Sequence, residues 1–145
     1  MEILKKKAAV PGLADRSATS TSTSTSTSTT KNRGDAAEDD ALEYLQNAGL
    51  RLVIRNYRTA GRGGGEIDLI MRERDGTVVF VEVRSRRACT HGGAAGSVTF
   101  AKQRRIIFAA QCWLARAATL PPCRFDVVSV EAGRIEWLKA AFNAG

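Results

Sequence analysis

The sequence contains few of the residues that form disulfides or zinc sites. Among its 145 residues there are three cysteines, Cys89, Cys112 and Cys123, and one histidine, His91. The cysteines are odd in number and widely spaced, which fits a reducing compartment better than a disulfide framework. Cys89 and His91 are not followed by a C-x-x-C pair or a second histidine, so we expect ordinary thiols and no zinc site.

The sequence also lacks a long apolar run. No segment reaches the roughly 18 residues that a membrane-spanning helix needs. The first residues, MEILKKKAAVPGLADRS, are basic but have no apolar centre of the kind found in signal peptides. We therefore expect a cytoplasmic protein with no membrane partner.

Aromatic residues are scarce, at 6% of the chain, whereas basic residues are in excess. Tyr57, Phe80, Phe100 and Trp113 are needed for the core or its edge, which leaves little for stacking on nucleic-acid bases. Lys and Arg number 22 against 15 Asp and Glu, a net charge of +7. Removing the four basic and two acidic residues of positions 1–30 still leaves +5. Such a surface favours a polyanion, recognised by its shape and not by its base sequence.

The N-terminal part of the chain is of low complexity. TSTSTSTSTSTT, from Thr19 to Thr30, contains nothing apolar to bury, which predicts disorder. We predict a disordered Ser/Thr-rich tail at residues 1–31. The remainder, 32–145, is long enough and apolar enough for one domain with a core of its own.

The domain begins with a helical pattern. GDAAEDDALEYLQNAG places Ala37, Ala41 and Leu45 on one stripe and ends at Gly49, which is typical of a helix C-terminus. LRLVIRNYR, residues 50–58, predicts a strand, and residues 65–87 predict two more around a turn.

A second helix and further strands complete the pattern. An amphipathic helix is predicted from about Thr99 to Ala118, with one face formed by Phe100, Ile107, Ala110 and Leu114 and bordered by Trp113. CRFDVVSV predicts a strand, and GRIEWLKAAF offers a short final one. The order α-β-β-β-α-β predicts an α/β fold with a mixed sheet flanked by helices.

Two acids, Asp68 and Glu82, interrupt the apolar strands of residues 65–87. If Asp75 and Gly76 form a two-residue loop, the two acids lie on opposite faces of the sheet. If the loop is Arg74-Asp75-Gly76 with Gly76 in the left-handed conformation, the numbers of opposed residues sum to 150 and Asp68 faces Glu82. Both turns suit an Asp-Gly sequence, so the sequence leaves both registers open.

The second register would place the two carboxylates about 5 Å apart at Cβ. At an effective dielectric near 20, their repulsion is on the order of 3 kcal/mol. A divalent cation, Mg²⁺ or Mn²⁺, would offset it, with Arg84 on the same face to contact phosphate. The alternative is a structural ion network with Arg84, Arg72 or Arg86.

A third acid, Glu38, lies on the apolar stripe of the first helix. It either completes a capping box that begins at Asp35 or belongs to the same site as Asp68 and Glu82. Glu66 shares a face with Asp68, but its simpler interpretation is a residue at the start of a strand.

Taken together, these segments resemble a known family. GDAAEDDALEYLQNAG, RNYR, GEIDLI and VFVEVRSR, followed by Lys102 and RFDVV, look like the YraN family of small uncharacterised bacterial proteins, over about 34–130. That family resembles the restriction-endonuclease-like PD-(D/E)XK nucleases, especially the Holliday junction resolvases. The resemblance implies a restriction-endonuclease-like core, with Glu38 as the acid of the first helix. It also implies Asp68 as a metal ligand and Glu82-Val83-Arg84 as the E-x-K motif.

The chain departs from the superfamily pattern at Arg84, where the motif has lysine. Arginine stays protonated and cannot act as a base, although it can stabilise charge on a phosphate transition state. We expect Asp68 and Glu82 to hold Mg²⁺ or Mn²⁺ for hydrolysis of DNA phosphodiester bonds, with Glu38 orienting the outer waters of the metal or a second ion. The residues expected to contact nucleic acid are Arg62, Arg86, Arg87, Lys102 and Arg105.

Two other functions are compatible with the sequence. One is a nucleic-acid-binding protein of the same fold without catalysis, and the other is a protein interaction domain with structural ion pairs. A homodimer is the candidate assembly.

Overall fold

Secondary structure follows the predicted order. The computed structural model describes residues 30–86 and 98–145, so nearly all of the predicted tail, and the pair Cys89 and His91, lie outside the described residues. The described elements are α1 (Thr30–Asn47), β1 (Arg51–Arg58), β2 (Glu66–Arg72), β3 (Val78–Arg86), α2 (Phe100–Leu114), β4 (Cys123–Glu131) and β5 (Arg134–Phe142). Neither helix of the described ranges is long and apolar enough to cross a membrane.

The strands form one mixed sheet in the order β1-β2-β3-β4-β5. β1, β2 and β3 pair antiparallel, β3 and β4 pair parallel across the connection that contains α2, and β5 returns antiparallel to β4. The predicted α/β fold with a mixed sheet is confirmed.

Each helix covers its own face of the sheet. The α1 face of the sheet is formed by Leu69, Met71, Val79, Val81, Val128 and Val130. The α2 face is formed by Ile67, Ile70, Val78, Phe80, Phe125 and Val127. Because strand side chains alternate, the two sets lie on opposite sides and give two apolar layers.

The first helix keeps its predicted stripe but begins earlier. Ala37, Ala41 and Leu45 are buried, as predicted. Gly49 has φ of 100° and donates its N–H to the Gln46 carbonyl at 2.9 Å, which ends the helix as expected. The start lies at Thr30, four residues before the predicted start at Gly34.

The second helix is shorter than predicted and is rotated about its axis relative to the predicted orientation. Thr99 caps it by accepting the N–H of Lys102 at 3.3 Å, and it ends at Leu114 instead of Ala118. Phe100 is 74% exposed, so its assignment to the core or its edge was wrong. Ala109 and Ala110 face the sheet, because their small side chains let the helix approach it closely, and this rotation carries Phe100 outward.

The turn between β2 and β3 selects one of the two predicted registers. Glu73 donates its N–H to the Thr77 carbonyl at 2.9 Å, and Gly76 has φ of 93°. The loop is therefore the three-residue one, and the pairs Leu69–Val81 and Ile70–Phe80 follow the register in which numbers sum to 150. In this register Asp68 and Glu82 face each other.

Gly65, directly before β2, is in close contact with the backbone of α2. A Cβ atom there would overlap the carbonyl oxygen of Arg105 and lie 2.8 Å from its carbonyl carbon. The backbone of Gly65 is also fixed by Thr59, whose hydroxyl accepts its N–H at 2.7 Å. Position 65 therefore sets the distance between α2 and β2.

Gly65→Ala should lower the free energy of unfolding by at least about 2 kcal/mol, because backbone atoms of α2 must move. Gly34→Ala is the matched control: Gly34 lies half-buried within α1, and a methyl group added there would have nothing within 4 Å. It should raise the free energy of unfolding by about 0.5–1 kcal/mol. Urea unfolding checks both, and two effects of the same sign would contradict this packing.

Candidate metal centre

Asp68 lies where β2 and β3 part. Pairing between these strands ends at Leu69 and Val81. One residue beyond, the Asp68 Oδ2 atom accepts the backbone N–H of Val83 at 2.8 Å. The alternation of β2 also changes here, because Ile67 packs on the α2 face and Leu69 on the α1 face. The Asp68 carboxylate is thus held between two strands, near both faces of the sheet.

Asn56 on β1 is part of the same irregularity. It lies opposite Asp68, between the pairs Arg55–Leu69 and Tyr57–Ile67, and has φ of +50°. Non-glycine residues rarely adopt this conformation, and Asn is among the few that tolerate it. The Asn56 side chain donates a hydrogen bond to the Glu38 carboxylate. The sequence placed Asn56 inside an ordinary strand, and its amino-acid type was the only signal of this role.

Glu38 points inward from α1 and is not a helix cap. Its side chain is 15% exposed, and its Oε2 lies 3.8 Å from Arg55 Nη2 and accepts no hydrogen bond. Burial and the nearby Asp68 charge raise the pKa of Glu38, against the Asn56 hydrogen bond and Arg55. The capping-box alternative was wrong, because the helix begins at Thr30 and Glu38 lies well inside it.

Glu82 is the most buried acid of this region. Its side chain is 6% exposed, and its Oε1 accepts from the Lys102 ammonium at 2.7 Å. Its Oε2 is buried and accepts no hydrogen bond. Burial lowers the pKa of Lys102, but the hydrogen bond and charge of Glu82 outweigh this and raise it. One oxygen of Glu82 is therefore paired and the other is left without a donor.

The carboxyl groups of Asp68 and Glu82 lie within hydrogen-bonding range of each other. Burial, and then the Glu82 charge, raise the pKa of Asp68 from 3.8 to about 7, although the Val83 N–H and Lys102 oppose the shift. Two carboxylates have no donor to offer each other, so this arrangement requires a proton or a cation between them.

A second buried acid shows what a purely structural carboxylate looks like in this fold. Asp126 on β4 is fully buried, and each of its oxygens is satisfied. It accepts from Arg124 Nε at 3.0 Å, from Trp137 Nε1 at 2.9 Å and from the Ala140 N–H at 2.9 Å. Glu82 differs from Asp126 in having an oxygen for which the fold supplies no partner.

The residues fit a hard divalent ion. Mg²⁺ takes oxygen ligands and is commonly held by one or two carboxylates, with water and phosphate completing its shell. Asp68 and Glu82 supply two carboxylates, and Glu82 Oε2 is available as a ligand. Across residues 30–86 and 98–145 no three His, Cys, Asp or Glu side chains converge closely enough to hold a metal. The centre therefore offers two protein ligands, with Glu38 at its edge.

Comparison with known proteins identifies the family. The model of the uncharacterised protein family UPF0102 matches residues 37–130. The chain belongs to the UPF0102 family. A UPF0102 protein of Paracidovorax citrulli (strain AAC00-1) is 57% identical over 145 residues, the full length of both chains. One of Albidiferax ferrireducens is 66% identical over 115 residues, which cover 79% of this chain and 90% of the relative. One of Verminephrobacter eiseniae is 66% identical over 113 residues, 77% of this chain and 78% of the relative. The family predicted from the sequence is confirmed.

The UPF0102 match covers Glu38, Asp68, Glu82 and Lys102. The structure brings Asp68 and Lys102 to the Glu82 carboxyl group, and Glu38 lies at the edge of the centre, near enough for the Asp68 charge to act on it. Lys102 was predicted only as a nucleic-acid contact, and its ion pair with Glu82 places it in the centre itself. No local pattern indicated this contact, because Lys102 belongs to a different element from the carboxylates.

The other predicted residues of the UPF0102 chain lie around the centre. Arg84 follows Glu82 by two residues on β3 and pairs in register with Ser129. Glu66 pairs with Arg58 at 2.9 Å on the exposed edge, as a strand-start residue would. The remaining predicted contacts comprise exposed Arg62 and Arg105, half-buried Arg86 at the end of β3, and Arg87 outside the described residues.

Asp68→Asn should stabilise the metal-free UPF0102 protein at pH 8. The folded-state pKa of Asp68 lies above its ordinary value, so its ionisation destabilises the fold progressively from about pH 4 to pH 7 and fully above. An amide keeps the shape of the side chain and an acceptor for the Val83 N–H, but carries no charge.

The expected gain in the free energy of unfolding is on the order of 2 kcal/mol at pH 8 and near zero at pH 4. Urea unfolding in EDTA at both pH values measures it. A variant that is less stable than the natural protein at pH 8 would show that the charge of Asp68 is not a burden on the fold.

Proposed function

We propose that this UPF0102 protein is a metal-dependent endonuclease that hydrolyses phosphodiester bonds of DNA. The observation that carries the proposal is the pair of carboxylates at the opening of the sheet, in which Glu82 Oε2 is buried without a partner beside Asp68. Such a pair lowers the stability of the fold, because the two carboxylates repel each other and a buried oxygen without a donor costs roughly 1–3 kcal/mol. The pair suits Mg²⁺ or Mn²⁺.

The chemistry needs no oxidant and no organic cofactor. The oxygen of a water molecule forms a bond to phosphorus, the bond from phosphorus to the leaving sugar oxygen breaks, water gives up a proton, and the leaving oxygen takes one up. A divalent ion held by Asp68 and Glu82 would supply positive charge to the scissile phosphate and lower the pKa of the attacking water.

The residues around the two carboxylates would position Asp68, orient water and contact the phosphate. The Val83 N–H and the pairing of β2 with β1 fix Asp68 at the strand opening. Glu38, held by Asn56, would orient water at the edge of the centre. Arg84, on the same strand as Glu82, would contact a phosphate oxygen, where its permanent charge is an advantage.

The surface near the centre suits a nucleic-acid backbone. Arg62 lies on the loop before Gly65, and Gly65 contacts α2 at Arg105, so the loop and the helix meet beside the centre. Both arginines are exposed. With the net charge of +7, they support DNA as the substrate, bound through its phosphates. The unpaired cysteines, Cys112 and Cys123, support the cytoplasm as the compartment.

The test uses linear, single-stranded and four-way DNA with Mg²⁺, Mn²⁺ or EDTA. The natural protein should cleave at least one of these only with metal. Asp68→Asn and Glu82→Gln should each reduce cleavage by at least about 100-fold, because each removes a charge that holds the metal, while DNA affinity is kept. Glu43→Gln, which removes an exposed acid of α1, should cleave as the natural protein does.

Three other results would reject the proposal in different ways. Cleavage that survives both site variants places the activity elsewhere. Salt-sensitive DNA binding with no cleavage in either metal supports the alternative of a non-catalytic nucleic-acid-binding protein. Failure to bind DNA at moderate salt supports an interaction domain.

A further inference from the structure

Lys102 reaches the metal centre from outside the strands that carry the carboxylates. Its Nζ lies 2.7 Å from Glu82 Oε1, although Lys102 belongs to α2 and Glu82 to β3. The two side chains differ in exposure: Glu82 is 6% exposed and Lys102 is 51% exposed. The ammonium therefore has one side against a buried carboxylate and another towards solvent.

The fold fixes this approach through several contacts in the first turns of α2. Thr99 caps the helix by accepting the N–H of Lys102 itself. One turn further, the Arg105 carbonyl packs so closely on Gly65 that no side chain fits there. Ala109 and Ala110 continue the contact with the sheet. These contacts fix the start of α2, from which the Lys102 side chain reaches Glu82.

The chemistry of lysine suits this position. An ammonium is a compact charge with three donors, so it can bind Glu82 with one N–H and keep others for a water or a phosphate oxygen on its exposed side. Position 84, where the related nuclease motif has lysine, holds an arginine in this chain. Arginine is a planar group of a different shape and cannot replace an ammonium contact for contact.

We propose that Lys102 is the third member of the metal centre: it shares Glu82 with the divalent ion and supplies, from α2, the ammonium that position 84 of β3 lacks. This inference rests on the proposed function for the role of the ion. Its direct consequence is electrostatic. Because the ammonium of Lys102 neutralises the charge of Glu82, Asp68 and Glu82 attract the divalent ion less strongly than they would without Lys102.

The test compares Lys102→Met, Lys102→Arg and Arg104→Met. Methionine keeps the length of the apolar stem of lysine, to the ε position, and lacks the ammonium group. Arg104→Met removes one positive charge from the same turn of α2, from a side chain that lies over the ring of the exposed Phe100. Circular dichroism and thermal unfolding confirm that each variant is folded.

The first readout is the affinity for Mn²⁺ without DNA, by calorimetry at pH 8. Lys102→Met should bind Mn²⁺ roughly fivefold more tightly than the natural protein, the size expected for one half-exposed charge pair. Lys102→Arg, which keeps the charge, and Arg104→Met should both stay within about twofold of the natural protein. An unchanged affinity in Lys102→Met overturns the proposal.

The second readout is DNA cleavage at saturating Mn²⁺. Lys102→Met should lose at least about 100-fold in rate, Lys102→Arg should not restore it, and Arg104→Met should retain it. Equal cleavage by Lys102→Met and the natural protein overturns the assignment while leaving the nuclease function intact. If the natural protein cleaves nothing, the nuclease function fails, and the Mn²⁺ affinities still decide whether Lys102 belongs to the centre.

Discussion

The hydrogen bond from the Val83 N–H to the Asp68 carboxylate is the interaction on which the centre depends. It replaces a rung of the β2–β3 ladder with a side-chain contact, at the point where pairing stops. A hydrogen bond to a charged acceptor contributes about 1.5–3 kcal/mol, enough to hold the strands open at this place. The opening gives one carboxylate access to groups from both faces of the sheet, so Glu38 comes from the α1 side and Lys102 from the α2 side.

The centre lowers the stability of a small domain. Asp126 shows that the same fold can bury an acid with all of its bonding capacity met, through Arg124, Trp137 and a backbone N–H. Glu82 and Asp68 lack such a full set of donors, and their two carboxyl groups face each other. The two kinds of buried acid are therefore separated in space: the satisfied network ties β4 to β5, and the unsatisfied pair lies across β2 and β3.

Much of the fold could be predicted from the sequence, because it depends on patterns among neighbouring residues. The stripe of Ala37, Ala41 and Leu45 and the glycine at 49 defined the first helix, and the alternation of apolar residues defined the strands. The turn sequence left two possible registers for Asp68 and Glu82, because an Asp-Gly turn is compatible with both. The register that forms is determined by how the β2–β3 pair packs between the two helices.

The features that the sequence concealed all depend on contacts between distant elements. The left-handed Asn56 reads as an ordinary strand residue until β2 is placed beside it. Phe100 reads as a core residue until the close packing of Ala109 and Gly65 fixes the rotation of α2. From the sequence, Lys102 is predicted to be a surface cation, because no local pattern indicates that the start of α2 lies against Glu82.

We propose that the opening of the sheet binds a divalent ion between the two opposed carboxylates of Asp68 and Glu82. Anomalous diffraction from crystals soaked in Mn²⁺ locates such an ion directly. We expect a peak within roughly 2.0–2.3 Å of one oxygen of Asp68 and one of Glu82, with water in the remaining positions. Manganese bound elsewhere on the protein, with no peak between these two side chains, would contradict it.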